Sequence, residues 1–197
     1  MQLILASTSP YRRALLERLS LDFVSVPPGV DESAQQGENP AQMALRLAMD
    51  KAQAVANSRS DNCLVLGSDQ VACCEGQILG KPHHYERAAE QLRLCSGNSV
   101  QFYTAVAAVG QHIGFSQSHI ETVEVCFRQL SGQQIDYYLQ TEQPYDCAGS
   151  FKCEGLGIAL FNTLRSDDPT ALEGLPLIAT TRLLEAAGLD VLTPTPS

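Results

Sequence analysis

The chain has no uninterrupted apolar run approaching the roughly 18 to 20 residues that a membrane-spanning helix requires, so no membrane partner is expected. Its start, Met1-Gln2-Leu3-Ile4-Leu5-Ala6, is apolar but lacks a basic flank and meets Ser, Thr and Pro within a few residues. It does not read as a signal peptide, and a cytoplasmic location follows as the expectation. Seven cysteines form an odd set without a CxxC pair, which argues for reduced thiols rather than a disulfide framework. The four histidines offer no HxxxH spacing, so a zinc site has little support. Positive charge is scarce, with 13 basic against 22 acidic residues and a net charge of −9. A broad nucleic-acid surface is thereby excluded, and any phosphate chemistry must rely on a few local cations. There is no internal repeat or low-complexity tract.

What is present is a soluble composition, 44% hydrophobic and 18% charged over 197 residues, enough for one domain with a real core. Residues 2 to 6 read as a short strand, and Ser9-Pro10 opens a helix with Leu15, Leu16 and Leu19 on one face. Asp22 to Val26 alternates as a second strand, and residues 27 to 39 read as a long loop. Asn39-Pro40 opens a helix that places Lys51 on or beside its inward face. Cys63 to Gly67 reads as a buried strand ending in Ser68-Asp69-Gln70, followed by a hairpin through Val71–Cys74 and Ile78–Leu79. A helix is predicted from Tyr85 to Cys95. Two long strands, Val100–Val109 and Ser118–Phe127, form the clearest antiparallel signal. Ser131 caps a further helix, Ile158 to Leu164 reads as a late strand, and a last helix runs from about Leu175 to Ala187. A frayed Pro- and Thr-containing tail is expected from about residue 189. Mixed strand and helix order predicts an α/β fold with a mixed sheet, in one domain spanning residues 1 to 197.

Hydrolysis of a phosphoanhydride needs carboxylates for a metal, cations for the phosphates, and a group that activates water. Asp69 lies just past a buried strand, where a side chain can face a cleft, although such an Asp taken alone is more often a turn or cap residue. Asp31-Glu32 lies in an irregular loop, where surface solvation is the ordinary reading. Arg12 and Arg13 sit in a first helical turn, which favours anions. Lys51 can snorkel past an apolar face, and Lys81 lies between Gly80 and Pro82. None of these signals is specific alone.

Together they are. Leu5-Ala6-Ser7-Thr8-Ser9-Pro10-Tyr11-Arg12-Arg13, Val30-Asp31-Glu32, Lys51-Ala52, Gly67-Ser68-Asp69-Gln70, Gly80-Lys81-Pro82, Ser96-Gly97, Ala148-Gly149-Ser150-Phe151-Lys152-Cys153-Glu154-Gly155 and Gly174-Leu175-Pro176 closely resemble, in the same order, the Maf family of nucleotide pyrophosphatases. The resemblance covers nearly the whole chain, from Leu3 to about Leu184. It implies a two-lobed α/β fold with a central cleft, similar to the inosine triphosphatase architecture and often a homodimer. It also implies cleavage between the α and β phosphates with a divalent cation, Mg²⁺ or Mn²⁺. Asp69 matches the family's proton acceptor, and Ser7, Arg13, Glu32, Lys51 and Lys81 match its phosphate- and metal-handling positions, with Glu32 and Asp69 as the metal carboxylates. Arg12 matches less closely. Sequence alone leaves open which carboxylate touches metal and which takes the proton.

Base preference rests on Tyr11, Gln70 and Glu154. The branch of the family acting on 7-methyl-GTP carries an aromatic residue, Gln and Glu at these positions, whereas the branch acting on UTP and dTTP usually carries Arg, Thr and Gln. The expected activity is hydrolysis of 7-methyl-GTP to 7-methyl-GMP and pyrophosphate, which removes a modified nucleotide from the pool. The alternatives are a dTTP/UTP pyrophosphatase and a nucleotide-binding regulator of cell division with weak hydrolysis.

Overall fold

The computed structural model describes residues 1–193. Its element order is β1 (Gln2–Leu5), α1 (Pro10–Glu17), β2 (Phe23–Ser25), α2 (Pro40–Asn57), β3 (Cys63–Cys74), β4 (Gln77–Leu79), α3 (Tyr85–Cys95), β5 (Ser99–Gly110), β6 (Phe115–Phe127), α4 (Gly132–Glu142), β7 (Phe161–Arg165) and α5 (Leu177–Ala186), with short 3-10 turns between. The sheet has the order β2-β1-β3-β5-β6-β7, with β4 paired to β3. β1 runs parallel to β2 and β3, while β4 and β7 are antiparallel to their partners. The fold is therefore α/β with a mixed sheet, as expected.

Helix starts follow from their caps. Ser9 accepts from the Arg12 N–H ahead of Pro10. Asn39 and Gln42 form a reciprocal capping box at α2, and Ser131 with Gln134 does the same at α4. Each arrangement satisfies backbone donors that the first helical turn leaves free. β1 and the first half of β3 are buried on both faces, the pattern of parallel strands covered by helices.

The chain forms two compact units. The first comprises Met1–Asp69, Thr104–Glu121 and the chain from Asp168 onward; the second comprises Gln70–Tyr103 and Thr122–Asp167. The core of the first unit is aliphatic and joins Leu3, Leu5, Leu15, Leu16, Leu64 and Leu66 to Leu175, Leu183 and Leu184. In the second unit Phe102, Phe127, Phe151 and Phe161 stack edge to face at centroid distances of 4.9 to 5.6 Å, a favoured aromatic geometry.

Three sequence expectations change. β3 does not end before Ser68 but continues through Cys74, so Asp69 is a mid-strand residue. The polar groups that suggest a strand end are satisfied inside the sheet: the buried Ser68 hydroxyl lies 2.8 Å from the Ala105 carbonyl and 2.9 Å from that of Gly174. The late strand begins only at Phe161, because residues Leu156–Leu160 form a 3-10 turn. There Gly157 packs so closely on Lys152 that a Cβ would stand 2.2 Å from its carbonyl oxygen. Finally, Leu189 and Val191 pack against the aliphatic core, and the end of the tail expected to fray lies outside the described residues.

Candidate active site

In the first unit, α2 and β3 bring three sequence-predicted residues together. Gly67 allows this: a Cβ there would stand 2.2 Å from the Ala48 carbonyl oxygen and 2.6 Å from the Ala52 nitrogen, so only glycine lets α2 lie this close to the strand. Asp69 is two residues further along β3 and shares that face. Lys51, in the same turn of α2 as Ala48 and Ala52, meets it. Its Nζ donates to Asp69 Oδ1 at 2.7 Å and lies 2.6 Å from Glu32 Oε1. The Lys51 side chain is 5% exposed and that of Asp69 10%, against 59% for Glu32. A buried ammonium is thus held between a rigid strand carboxylate and a solvent-facing loop carboxylate.

The loop bearing Glu32 is itself fastened. Arg46 on α2 donates to both Glu38 carboxylate oxygens at 2.6 and 2.8 Å, to Asp50 at 3.2 Å and to the Ser33 carbonyl at 3.1 Å. The Arg46 hydrogen bonds hold the Glu38 carboxyl below its ordinary value, and Glu38 in turn raises Arg46. Asp31 accepts from the Ser33 N–H and hydroxyl, which lowers its carboxyl as well.

The two arginines part ways. Arg13 is 61% exposed and pairs with Glu17 one helical turn on. Arg12 is half-buried and donates through Nε to the Gly174 carbonyl at 2.9 Å. Burial pulls its guanidinium below the ordinary value, while the charges of Asp69 and Glu32 pull it back up. Arg12 is therefore the arginine whose charge is coupled to the two carboxylates. The signal was in the helix spacing, since Arg12 precedes the buried Leu15 and Leu16 by three and four residues, whereas Arg13 precedes the exposed Glu17 by four.

Ser7 is buried at the turn between β1 and α1, where its Oγ accepts from the Ser9 N–H at 3.1 Å. Tyr11 is half-buried on α1. Gly174, at φ 112°, lies in a segment whose two sides are tied together by a cluster that sequence reading missed. The buried Asp168 carboxylate accepts from Thr170 N–H, Thr170 Oγ1 and Ile178 N–H, and Thr170 Oγ1 accepts from Leu177 N–H. These contacts cap α5 in place of the side-chain cap that Pro176 does not give.

The remaining predicted residues belong to the second unit. Gln70 follows Asp69 in β3, so its side chain projects to the opposite face of the strand. Lys81 is exposed in the loop between β4 and α3. Glu154 is exposed in the loop after the turn Ala148–Ser150, with Cys153 Sγ at 3.6 Å from its carboxylate.

Among the described residues no group of three or more His, Cys, Asp or Glu side chains is arranged to hold a metal. Glu32 and Asp69 nevertheless offer hard carboxylate oxygens on one cation-lined face. Two carboxylates suit a small hard cation that completes its shell with water and substrate phosphates; they do not suit a closed zinc site.

The α/β architecture has a counterpart in the Ham1 protein of Staphylococcus aureus, with a TM-score of 0.52 and 15% identity over 95% of this chain and 100% of that one. That likeness defines the fold. The family follows from sequence: the Maf-like protein model matches residues 2–187, and the chain belongs to the Maf family. Its relatives include the 7-methyl-GTP pyrophosphatase of Albidiferax ferrireducens, 56% identical over 97% of this chain and 96% of the relative. That of Nitrosococcus oceani is 54% identical over 96% and 95%.

Proposed function

We propose that this protein is a nucleoside triphosphate pyrophosphatase that hydrolyses 7-methyl-GTP to 7-methyl-GMP and pyrophosphate in the cytoplasm, the whole chain serving as one catalytic module. The observation that carries the chemistry is the buried Lys51 held between Asp69 and Glu32. Relatives more than 50% identical over nearly their full length that bear this activity's name support the substrate.

Asp69, fixed in a central strand, is the better base, because a proton acceptor must hold its geometry against the attacking water. Glu32, exposed on a loop, is the better partner for a divalent cation, with Asp69 sharing it directly or through water. When bound, a cation such as Mg²⁺ or Mn²⁺ supplies charge neutralisation at the phosphates. The water oxygen bonds to the α-phosphorus, its proton passes to Asp69, and the bond to the bridging oxygen breaks so that pyrophosphate leaves. Lys51, Arg12 and Lys81 balance the triphosphate charge, and Ser7 donates to a phosphate oxygen beside α1. We assign the inward arginine role to Arg12, leaving Arg13 at the rim.

Tyr11, Gln70 and Glu154 carry base recognition in this reading. Methylation at N7 makes guanine cationic, so an aromatic face gains about 0.5 to 2 kcal/mol from it. The Glu154 carboxylate accepts from the N1–H and exocyclic amine of guanine, a donor pair that uracil and thymine lack. Glu154→Gln tests this assignment: it should erode the preference for 7-methyl-GTP over UTP while hydrolysis persists, and an unchanged preference would remove Glu154 from the base site.

A further inference from the structure

Gln91 lies on the buried stripe of α3, three residues after Ala88 and four before Cys95, and is 3% exposed. A fully buried carboxamide is costly unless both its donor and its acceptor are used, and here both are. Its Nε2 donates to the Gly80 carbonyl at 3.0 Å, and its Oε1 accepts from the Ser150 hydroxyl. The two partners stand in separate loops of the second unit. Gly80 precedes Lys81, the residue read above as a phosphate ligand. Ser150 opens the segment that leads to Glu154, the residue read as contacting the base.

The Ser150 end is under constraint. Gly149 and Ser150 have φ of 75° and 62°, a left-handed geometry that costs a non-glycine residue energy and persists only where the surroundings enforce it. Beyond Ser150 the loop is pinned by α4: the Lys152 N–H donates to Tyr138 Oη at 3.0 Å, and the Leu156 N–H donates to Glu142 Oε1 at 3.0 Å. Glu154 is therefore presented from a segment fastened on both sides, with Gln91 fastening its entry and the Lys81 loop through one side chain.

We propose that Gln91 is a positioning residue that keeps the Lys81 loop and the Glu154 loop in register, and thereby sets how sharply the enzyme discriminates between nucleotide bases. This rests on the reading of Lys81 and Glu154 given above. Because one planar carboxamide binds both loops, displacement of one is passed to the other.

The test is the ratio of kcat/KM for 7-methyl-GTP to that for GTP, measured in the wild type, Gln91→Met and Gln91→Glu. A ratio taken on one preparation cancels the fraction of folded enzyme, so a purely structural loss does not move it. Gln91→Met removes both hydrogen bonds, and the ratio should fall by about fivefold to tenfold, the weight of one ordinary hydrogen bond. Ionised Gln91→Glu still accepts from Ser150 but has no proton for Gly80, so it should lose discrimination near neutrality and regain part of it as pH falls and the buried carboxyl protonates. A wild-type ratio in both variants, whatever their melting temperatures, overturns the proposal. If the wild type shows no preference for 7-methyl-GTP, the substrate reading fails on its own, and the same comparison between its two best nucleotides decides the role of Gln91.

Discussion

In the proposed mechanism Asp69 combines two duties that pull against each other. As a proton acceptor it must keep a free lone pair, yet it also neutralises a lysine that is almost wholly buried. Changing it to Asn preserves shape and an acceptor oxygen but removes a charge from this pair. Turnover should fall by about a hundredfold or more, the range of general-base loss. Because Asp69 lies inside β3 rather than beyond its end, stability should also suffer, by roughly 1–2 kcal/mol or about 2–8 °C in Tm, less than the full loss of a buried partner since Glu32 still faces Lys51. Folded Asp69→Asn with near-normal kcat would rule out the proposed role. The arginines offer a sharper contrast. Arg12→Ala should lower kcat/KM by about tenfold or more, as loss of a charged hydrogen-bond donor does, whereas Arg13→Ala removes only an exposed ion pair and should change it by less than about threefold. Comparable losses in the two variants would contradict the orientation of α1.

Elements govern how those residues meet. Gly67→Ala would place a methyl group against the α2 backbone, and α2 must move or the strand must bend. A destabilisation of about 1–3 kcal/mol is expected, with activity falling further because Lys51 shifts from Asp69; a melting curve and kcat/KM on the folded fraction check both. The loop of Glu32 depends on Arg46, and Arg46→Ala should lower activity with a small change in Tm. The anchor's pH dependence has a definite sign. Glu38 has its folded value depressed below the ordinary 4.5, so its contribution is complete above that value and is lost as pH falls through the lowered one. Loop order, followed by hydrogen exchange near Glu32, should therefore be constant from neutrality to about pH 5 and fail only in more acid solution. Caps and periodicity made α1, α2, α3 and α4 readable from the sequence, because their signals lie within a few residues of one another. β3 misled for the opposite reason: Gly67-Ser68-Asp69 looks like a strand end until Ala105, Gly174 and Lys51 supply partners from distant positions. Asp168, Thr170 and Gln91 were illegible on the same ground, whereas Glu32, Lys51 and Asp69 could be singled out only as parts of a motif set.

For the molecule as a whole, the net charge of −9 makes the few local cations more consequential, since a triphosphate approaching an anionic surface must be held by individual lysines and arginines. Affinity should weaken as salt rises, because these contacts are screened. No helix among the described residues is long and apolar enough to cross a membrane. The Maf family membership and the cluster of Lys51 with Asp69 and Glu32 point to one reaction. It is tested most directly by measuring kcat/KM for 7-methyl-GTP, GTP, UTP and dTTP with divalent cation present, with pyrophosphate and orthophosphate assayed separately. The prediction is a preference for 7-methyl-GTP, one pyrophosphate per monophosphate formed, and loss of turnover on addition of EDTA. A preference for UTP or dTTP, or stoichiometric orthophosphate with accumulating diphosphate, would contradict it.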